Sequence, residues 1–376
     1  MEREREQIAG LYIHIPFCRS KCYYCDFYSI QYDDALADKY IDALISEFFS
    51  VCEQFQNLYF DTVYLGGGTP SLLSHRLLSK LLGAIFNSNR LKENCEISIE
   101  SNPAKGEFYK QCADLKINRL SIGIQSLSDS ILNLIGRGHN AREAIQALEI
   151  AGKYFDNINA DIIIGIPSQT KLDIENTLGL IMPFTKHISA YILKLSDESP
   201  MGKKARCSQM HLPSDDLVAD MYELAYDKLS MYGFNRYEIS NFSVANYFSR
   251  HNMKYWACWN TIGIGAAAHS FFNGVRFSNA SDINRYMLGE SFLTTYDKTL
   301  IPDKKELLFE EIMLGLRLES GLDVLSINKK FGIDFLSRFS SVIDRLKGIA
   351  EYKDGRYKIL SSKMLLESAV AVEFLD

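Results

Sequence analysis

No stretch of the 376 residues approaches the roughly 18 uninterrupted apolar positions that a bilayer span requires. The N-terminal MEREREQIAG is charged and lacks the apolar centre of a secretory signal, so a cytoplasmic protein is expected. Basic charge is not in surplus: 41 Lys and Arg face 47 Asp and Glu, a net charge of −6. A chain built to grip nucleic acid ordinarily carries a basic excess, so no nucleic-acid partner is expected. Internal repeats and low-complexity linkers are missing too. What is present, 47% hydrophobic and 23% charged residues, matches a folded globular protein, and the length allows one large α/β unit or two domains. Structural disulfides are rare in the cytosol, so those of the eight cysteines that cluster need another explanation.

The first half alternates short apolar runs with amphipathic segments. Leu11–Ile15, Thr62–Leu65, Ile97–Glu100, Leu120–Ile124, Ala160–Ile164 and Ile188–Leu193 have the length and β-branched content of buried strands. Between them, Leu36, Tyr40, Leu44, Phe48 and Val51 share one helix face, as do Leu77, Leu78, Leu81, Leu82 and Ile85, and Ala144, Ile145, Leu148 and Ala151. Six strand–helix units in series imply a parallel sheet. Six fall short of the eight of a closed barrel, so the expected architecture is α/β, a partial (β/α)6 TIM-like barrel, with a doubly wound sheet as the alternative.

Strand patterning fades after about Pro200. A helix is expected over Asp215 to Gly233, then an aromatic, Asn-rich stretch from Tyr237 to Trp259. From Lys304 onward two or three helices precede a strand pair turned at Asp354-Gly355, a hairpin signal. Helices followed by a terminal hairpin make a smaller winged-helix-like module.

The strongest chemical signal is PFCRSKCYYC, which places Cys18, Cys22 and Cys25 directly after the first expected strand. Three thiolates so close along one loop can meet at one centre. Zinc usually takes four protein ligands, or three with an open position; iron–sulfur clusters are held by thiolates, usually four. Three cysteines with no fourth nearby suggest a four-iron cluster whose remaining iron takes a non-protein ligand. Free cysteines, or a zinc knuckle completed by His14, are the alternatives. Phe17, Tyr23 and Tyr24 stand ready to shield a cluster from water.

After the second strand, DTVYLGGGTPSLLS offers Gly66, Gly67 and Gly68, where backbone can approach a ligand closely, and Pro70 to set the turn. A tight structural turn is the plainer reading. Glu100, Gln125 and Asp161 lie at or near the C-terminal ends of apolar strands, where barrel active sites form. A carboxylate there is costly to bury unpaired, and ion pairs or helix caps are the plainer roles. Arg137, twelve residues beyond Gln125, is placed to reach back and hold a carboxylate bidentately.

The CxxxCxxC spacing after the first strand resembles the radical S-adenosylmethionine (SAM) superfamily, and the GGTP turn resembles its SAM motif. That resemblance implies a [4Fe-4S] cluster on Cys18, Cys22 and Cys25 whose open iron is chelated by SAM, and electron transfer that cleaves the sulfonium to a 5′-deoxyadenosyl radical. Residue by residue, the chain is similar to the coproporphyrinogen III oxidase-like branch. Tyr12 in YIHIPFC, Tyr24, Gly67, Gly68, Thr69, Glu100, Gln125, Arg137 and Asp161 are the cofactor-binding positions this implies. His139 and His14 are expected to be structural. EEIMLGLRLESGLD is a weaker match to the branch's C-terminal domain.

Within the branch, the dehydrogenases carry a further cysteine two places after the triplet and a longer N-terminal arm. Here that place holds Phe27, and 17 residues precede Cys18. RHNMKYW, Arg250 to Trp256, matches the HNxxYW motif of the HemW-type heme chaperones, after YEISNF. The resemblance therefore implies a protein that binds heme and passes it to acceptor proteins, membrane cytochromes among them, with the donor unassigned. The oligomeric state is left open, with a homodimer and peripheral membrane contact during transfer as the options kept. Coproporphyrinogen III dehydrogenase is the alternative, and catalysis is left open. His251 is the implied axial ligand, with Tyr255 and Trp256 as porphyrin faces, Met253 as a second donor, and Cys258 and His269 as rivals. Cys52, Cys95, Cys112, Cys207 and Cys258 are expected to pack as small hydrophobes. The organisation expected is a radical SAM barrel over residues 1–200, an extension carrying the heme-binding segment over 201–300, and the C-terminal domain over 301–376.

Overall fold

The computed structural model describes residues 6–290 and 303–375; the boundary expected at 300–301 lies outside them. Six strands run parallel in chain order: β1 (Gln7–Ile15), β2 (Leu58–Gly67), β3 (Leu91–Ser101), β4 (Arg119–Gln125), β5 (Ile158–Ile164) and β6 (His187–Ile192). A helix follows each of the first five, and each begins on a cap its sequence supplies or a turn it allows. Asp33 accepts from Leu36 N ahead of the Asp34–Gln54 helix, and Asn140 with Glu143 forms a capping box ahead of Ala141–Ala151. Tyr40, Leu44, Phe48 and Val51 are fully buried beneath the sheet. Each such side chain contributes roughly 1.5–3 kcal/mol, more than the cap does.

Alternation sorts each strand into two faces. Leu11, Ile13 and Ile15, then Val63 and Leu65, then Ile97 and Ile99, pack into the main core beneath the helices. The opposite face is polar from strand to strand: Tyr12 and His14 on β1, Thr62 and Tyr64 on β2, Glu96, Ser98 and Glu100 on β3, Ser121 on β4, Asn159 and Asp161 on β5, His187 and Ser189 on β6. Most of these are buried in the barrel interior.

Strands do not end near Pro200. β7 (Asn235–Glu238) and β8 (Asn241–Ser243) extend one edge antiparallel, beside β6. On the other side β9 (Thr261–Ile264) joins β1 in parallel, followed by antiparallel β10 (His269–Phe272) and β11 (Val275–Ser278). Residues 235–278 thus supply five of eleven strands in one sheet. Each is three or four residues long and β9 reads TIGI, too short for a periodicity to register. Its partner lies some 250 positions earlier.

Beyond residue 303 the chain has its own core, centred on Phe335, Phe339, Tyr357 and Phe374. Helices from Lys304–Leu316 to Ser340–Arg345 precede the hairpin Ala350–Lys353 and Arg356–Ile359, to which Leu322–Asp323 adds a third strand. Asp354 and Gly355 both adopt positive φ, 51° and 79°, as a tight primed turn needs. This module meets the sheet at β7: Ile239 N donates to Arg317 O at 3.1 Å, Glu319 N donates to Tyr237 O at 3.1 Å, and Arg236 pairs with Glu319 at 2.7 Å.

The loop after β9 is locked by Glu47 of the Asp34–Gln54 helix, which accepts from Gly265 N at 2.9 Å, Asn279 Nδ2 at 2.8 Å and Tyr286 OH at 2.6 Å. Burial raises this carboxyl to about 7 against an ordinary 4.5, opposed by those donors. The folded chain therefore binds the proton more tightly. The resulting stability is full below about pH 4.5 and is lost as pH rises through about 7. We expect the melting temperature to fall between pH 5 and 8 and the Glu47→Gln variant to flatten that fall, by at most about 1.4 kcal/mol per pH unit. Thermal unfolding across that range measures it.

Candidate functional site

The cysteine loop begins as β1 ends. Phe17–Cys18 pairs with Ile30–Gln31 in a two-strand ladder, Tyr32 N donates to Cys18 O at 3.0 Å, and Cys25 N donates to Cys22 O at 3.2 Å. The loop is fastened to the barrel rim by Tyr23 N donating to Ile135 O at 3.1 Å and by Met201 N donating to Tyr23 O at 2.9 Å. Cys18, Cys22 and Cys25 all line one cavity of about 380 Å³ at the C-terminal ends of the strands. A larger cleft of about 960 Å³ adjoins it and shares Cys22, Thr69, Asn102 and Arg137. Phe17 is buried, Tyr24 and the exposed Phe27 line the cavity, and Tyr23 is exposed. Burial pushes the Cys25 thiol up from its ordinary value. Among the described residues no three His, Cys, Asp or Glu converge on a single ion.

The glycine turn is zipped onto this loop. Gly68 N donates to Ile15 O at 2.9 Å and Thr69 N to Phe17 O at 2.8 Å, which brings Thr69 Oγ1 to 3.5 Å from Cys18 Sγ. Gly67 has φ +110°, and a Cβ there would lie 2.5 Å from the His14 ring. Opposite, Glu100 accepts from Gly67 N at 3.0 Å and from Tyr64 OH at 2.8 Å. Burial raises the Glu100 carboxyl to about 7, with Asp161 adding to the rise. Asp161 accepts from Ser121 Oγ at 2.9 Å and Asn159 Nδ2 at 2.8 Å; burial raises it despite those donors. Gln125 ends β4 at φ +66° after a register shift, which swings its side chain into the same cavity.

Arg137 departs from its expected role. It lies in the turn before the Ala141–Ala151 helix and pairs with no carboxylate side chain among the described residues. Its Nη1 donates to Cys22 Sγ at 3.4 Å and its Nη2 to Gly123 O at 2.7 Å and to Asn102 Oδ1. The buried Nε has no partner among the described residues. Its charge therefore faces the thiol loop, because Gly136 at φ +73° turns the chain back across Tyr23.

Tyr12 does not line the cavity. It stands behind it, stacked on Tyr64 at 6.2 Å and bonded to His14 Nδ1 at 3.0 Å. His14 is structural, its Nε2 meeting Tyr28 O at 3.0 Å, and His139 meets Ile124 O at 3.3 Å. His251 differs most from expectation. Its side chain is fully buried; Nδ1 is 2.9 Å from Thr62 Oγ1 and Nε2 is 3.0 Å from Tyr255 OH. Burial, with Lys254 beside it, lowers it to about 3, so it is a neutral imidazole with both nitrogens engaged. Trp256 carries Arg317 at 4.4 Å, and Arg250 is spent on Asn94 O at 2.8 Å and on Asp61. The His251 nitrogens are thus both engaged in this fold, while Met253, Tyr255 and Trp256 of the same segment are half-buried. Cys52, Cys95 and Cys112 are buried as expected; Cys207 is exposed and Cys258 half-buried.

Residues 12–181 match the model of the radical SAM superfamily, and residues 303–351 that of the HemN C-terminal domain. A heme chaperone HemW of Lactococcus lactis is 36% identical over 344 residues, covering 89% of this chain and 88% of that one. Another, from Bacillus subtilis, is 32% identical over 379 residues, covering 97% and 98%. The chain belongs to the HemW family of the radical SAM superfamily. Its fold is also that of the radical SAM enzyme coproporphyrinogen III oxidase (HemN) from Escherichia coli, with a TM-score of 0.83 at 20% identity, covering 100% of this chain and 91% of that one. Membership implies a [4Fe-4S] cluster and SAM. The residues fit both: three thiols and a glycine turn line one cavity, an arginine with an orphaned Nε stands beside Cys22, and the turn is held against the Cys18 segment by a backbone approach that a Cβ at Gly68 would block, 2.7 Å from Phe17 O.

Tyr64, Asn102, Ser121 and Tyr191 also line the cavity and were not singled out in the sequence. Their signal is the polar alternation itself: Tyr64 stands two places from Thr62, Asn102 two from Glu100, Ser121 two from Arg119 and Tyr191 two from Ser189.

Proposed function

We propose that this protein binds heme and hands it to an acceptor protein, with a [4Fe-4S] cluster on Cys18, Cys22 and Cys25 and SAM against Gly67, Gly68, Thr69, Glu100 and Asp161. The observation that carries this reading is kinship with heme chaperones along nearly the whole chain, joined to the RHNMKYW segment. When bound, cluster and SAM supply a one-electron route to the sulfonium. The protein's own part is positional: Thr69 and Arg137 brace the thiol loop, Glu100 fixes the glycine turn, and the carboxylates favour the cationic end of the methionyl group. His251 is the proposed axial ligand, since imidazole suits heme iron; reaching it requires the ring to leave Thr62 and Tyr255. His269, exposed on β10, is the rival.

Membrane cytochromes as acceptors, pairing of two copies and transient membrane contact belong to the same proposal; no helix among the described residues is long and apolar enough to cross a membrane. The test is anaerobic: the reconstituted chain is titrated with heme while SAM and coproporphyrinogen III are supplied in parallel. We expect saturable heme uptake with a Soret band and no protoporphyrinogen IX. Protoporphyrinogen at multiple turnovers, without heme uptake, would replace this reading with the dehydrogenase.

A further inference from the structure

The Arg250–Trp256 helix lies against the back of the SAM cavity. Glu96 of β3 accepts both Arg250 N at 3.2 Å and His251 N at 3.1 Å, which fixes the first turn. Gly10 of β1 leaves room for the close approach: a Cβ there would lie 2.9 Å from Lys254 and 3.0 Å from the His251 ring. The His251 ring then stacks on Tyr64, with centroids 5.2 Å apart and planes at 28°. Tyr12 completes a three-ring cluster, its centroid 6.2 Å from Tyr64 and 6.5 Å from His251. Held in that stack, the Tyr64 hydroxyl reaches Glu100 Oε1 while Glu100 Oε2 holds Gly67 N. The contacts run without a gap from the motif helix to the glycine turn.

We propose that His251 is a positioning residue of the SAM site: its ring holds Tyr64 on Glu100, and Glu100 holds the glycine turn. Without the His251 ring, Tyr64 keeps Tyr12 as a ring contact but loses its stacked neighbour, and Glu100 is then expected to lose the donor that orients it. One consequence rests on the heme reading above. A histidine that leaves Tyr64 to ligate heme withdraws this support, so heme at His251 and SAM at the glycine turn oppose each other. Linkage makes that opposition reciprocal.

The experiment uses the full chain, anaerobically reconstituted, and reads the SAM dissociation constant by equilibrium dialysis alongside iron content and melting temperature. His251→Ala and Tyr64→Phe should each weaken SAM binding roughly five- to thirtyfold, and the double variant should be no weaker than the worse single, as residues in one chain of contacts behave. His251→Phe keeps a flat ring on Tyr64 and should return SAM affinity to within roughly threefold of the parent. A fold defect alone would not give that recovery, since phenylalanine leaves the Thr62 and Tyr255 hydroxyls unpaired as alanine does. Unchanged SAM affinity in His251→Ala, or losses that multiply in the double variant, would overturn the proposal. Heme is then added. The parent should lose SAM affinity by the His251→Ala factor, and His251→Phe should be indifferent. Heme uptake with SAM affinity intact would sink the opposition, and no heme uptake at all would sink the chaperone reading while the SAM series still decides the role of His251.

Discussion

Cys22→Ser is expected to leave the reconstituted chain with under a tenth of the parent's iron and sulfide and without the broad absorbance near 400 nm. A serine hydroxyl stays protonated at neutral pH and is a poor ligand to iron where thiolate is required. Cys22 is also the sulfur that Arg137 addresses at 3.4 Å, so its replacement takes the thiol from a guanidinium that keeps Gly123 O and Asn102 Oδ1 but whose Nε already lacks a partner. Cys18→Ser should act alike through Thr69. Cys207→Ser changes an exposed thiol outside the site and should leave iron and absorbance unchanged. Iron and sulfide analysis of the three variants separates these cases. Wild-type iron in Cys22→Ser would refute the assignment of the loop.

Gly68→Ala carries the second large effect. An added Cβ would sit 2.7 Å from Phe17 O and 2.9 Å from Ile15 O, both backbone, so no side chain can swing aside. Relief must come from parting the glycine turn from the segment that leads into Cys18, which breaks the bonds from Gly68 N and Thr69 N. We expect SAM affinity to fall by at least about tenfold, the cost of one lost charge-assisted or close backbone contact, with lower cluster occupancy. Gly83→Ala is the internal comparison. It lies inside the His75–Asn87 helix with nothing within 4 Å of its Cβ direction, and should stabilise the chain by up to about 1 kcal/mol with no change in SAM binding. Dialysis and thermal melts on the two variants distinguish a lost cradle from a general intolerance of alanine.

Much of this was legible because the first half obeys simple periodicities. Leu11, Ile13 and Ile15 announce a strand covered by helices, and Tyr40, Leu44 and Phe48 announce the helix that covers it. The cysteine spacing and the glycine turn lie in loops where side-chain type alone carries the chemistry. Two kinds of feature were hidden. β9 is four residues long and owes its place to pairing with β1 far away in sequence, which no local pattern encodes. His251 read as an available imidazole because its sequence neighbours are aromatic; its real partners, Thr62 and Tyr64, lie about 190 positions earlier. The reverse holds for Arg137, whose partners proved to be a thiol and carbonyls where a carboxylate was expected.

The junction at β7 bears on more than domain placement. That strand is the last of its sheet, and an outermost strand with bare amides and carbonyls invites pairing by foreign chains. Here Tyr237 O and Ile239 N are taken by the 317–319 segment, and Glu238 bridges Leu318. The C-terminal module thus acts as a hem sewn along the fabric's raw margin. Prising it loose would expose both that margin and the Trp256 face beneath Arg317, so self-association and renewed access to the motif helix would arrive together.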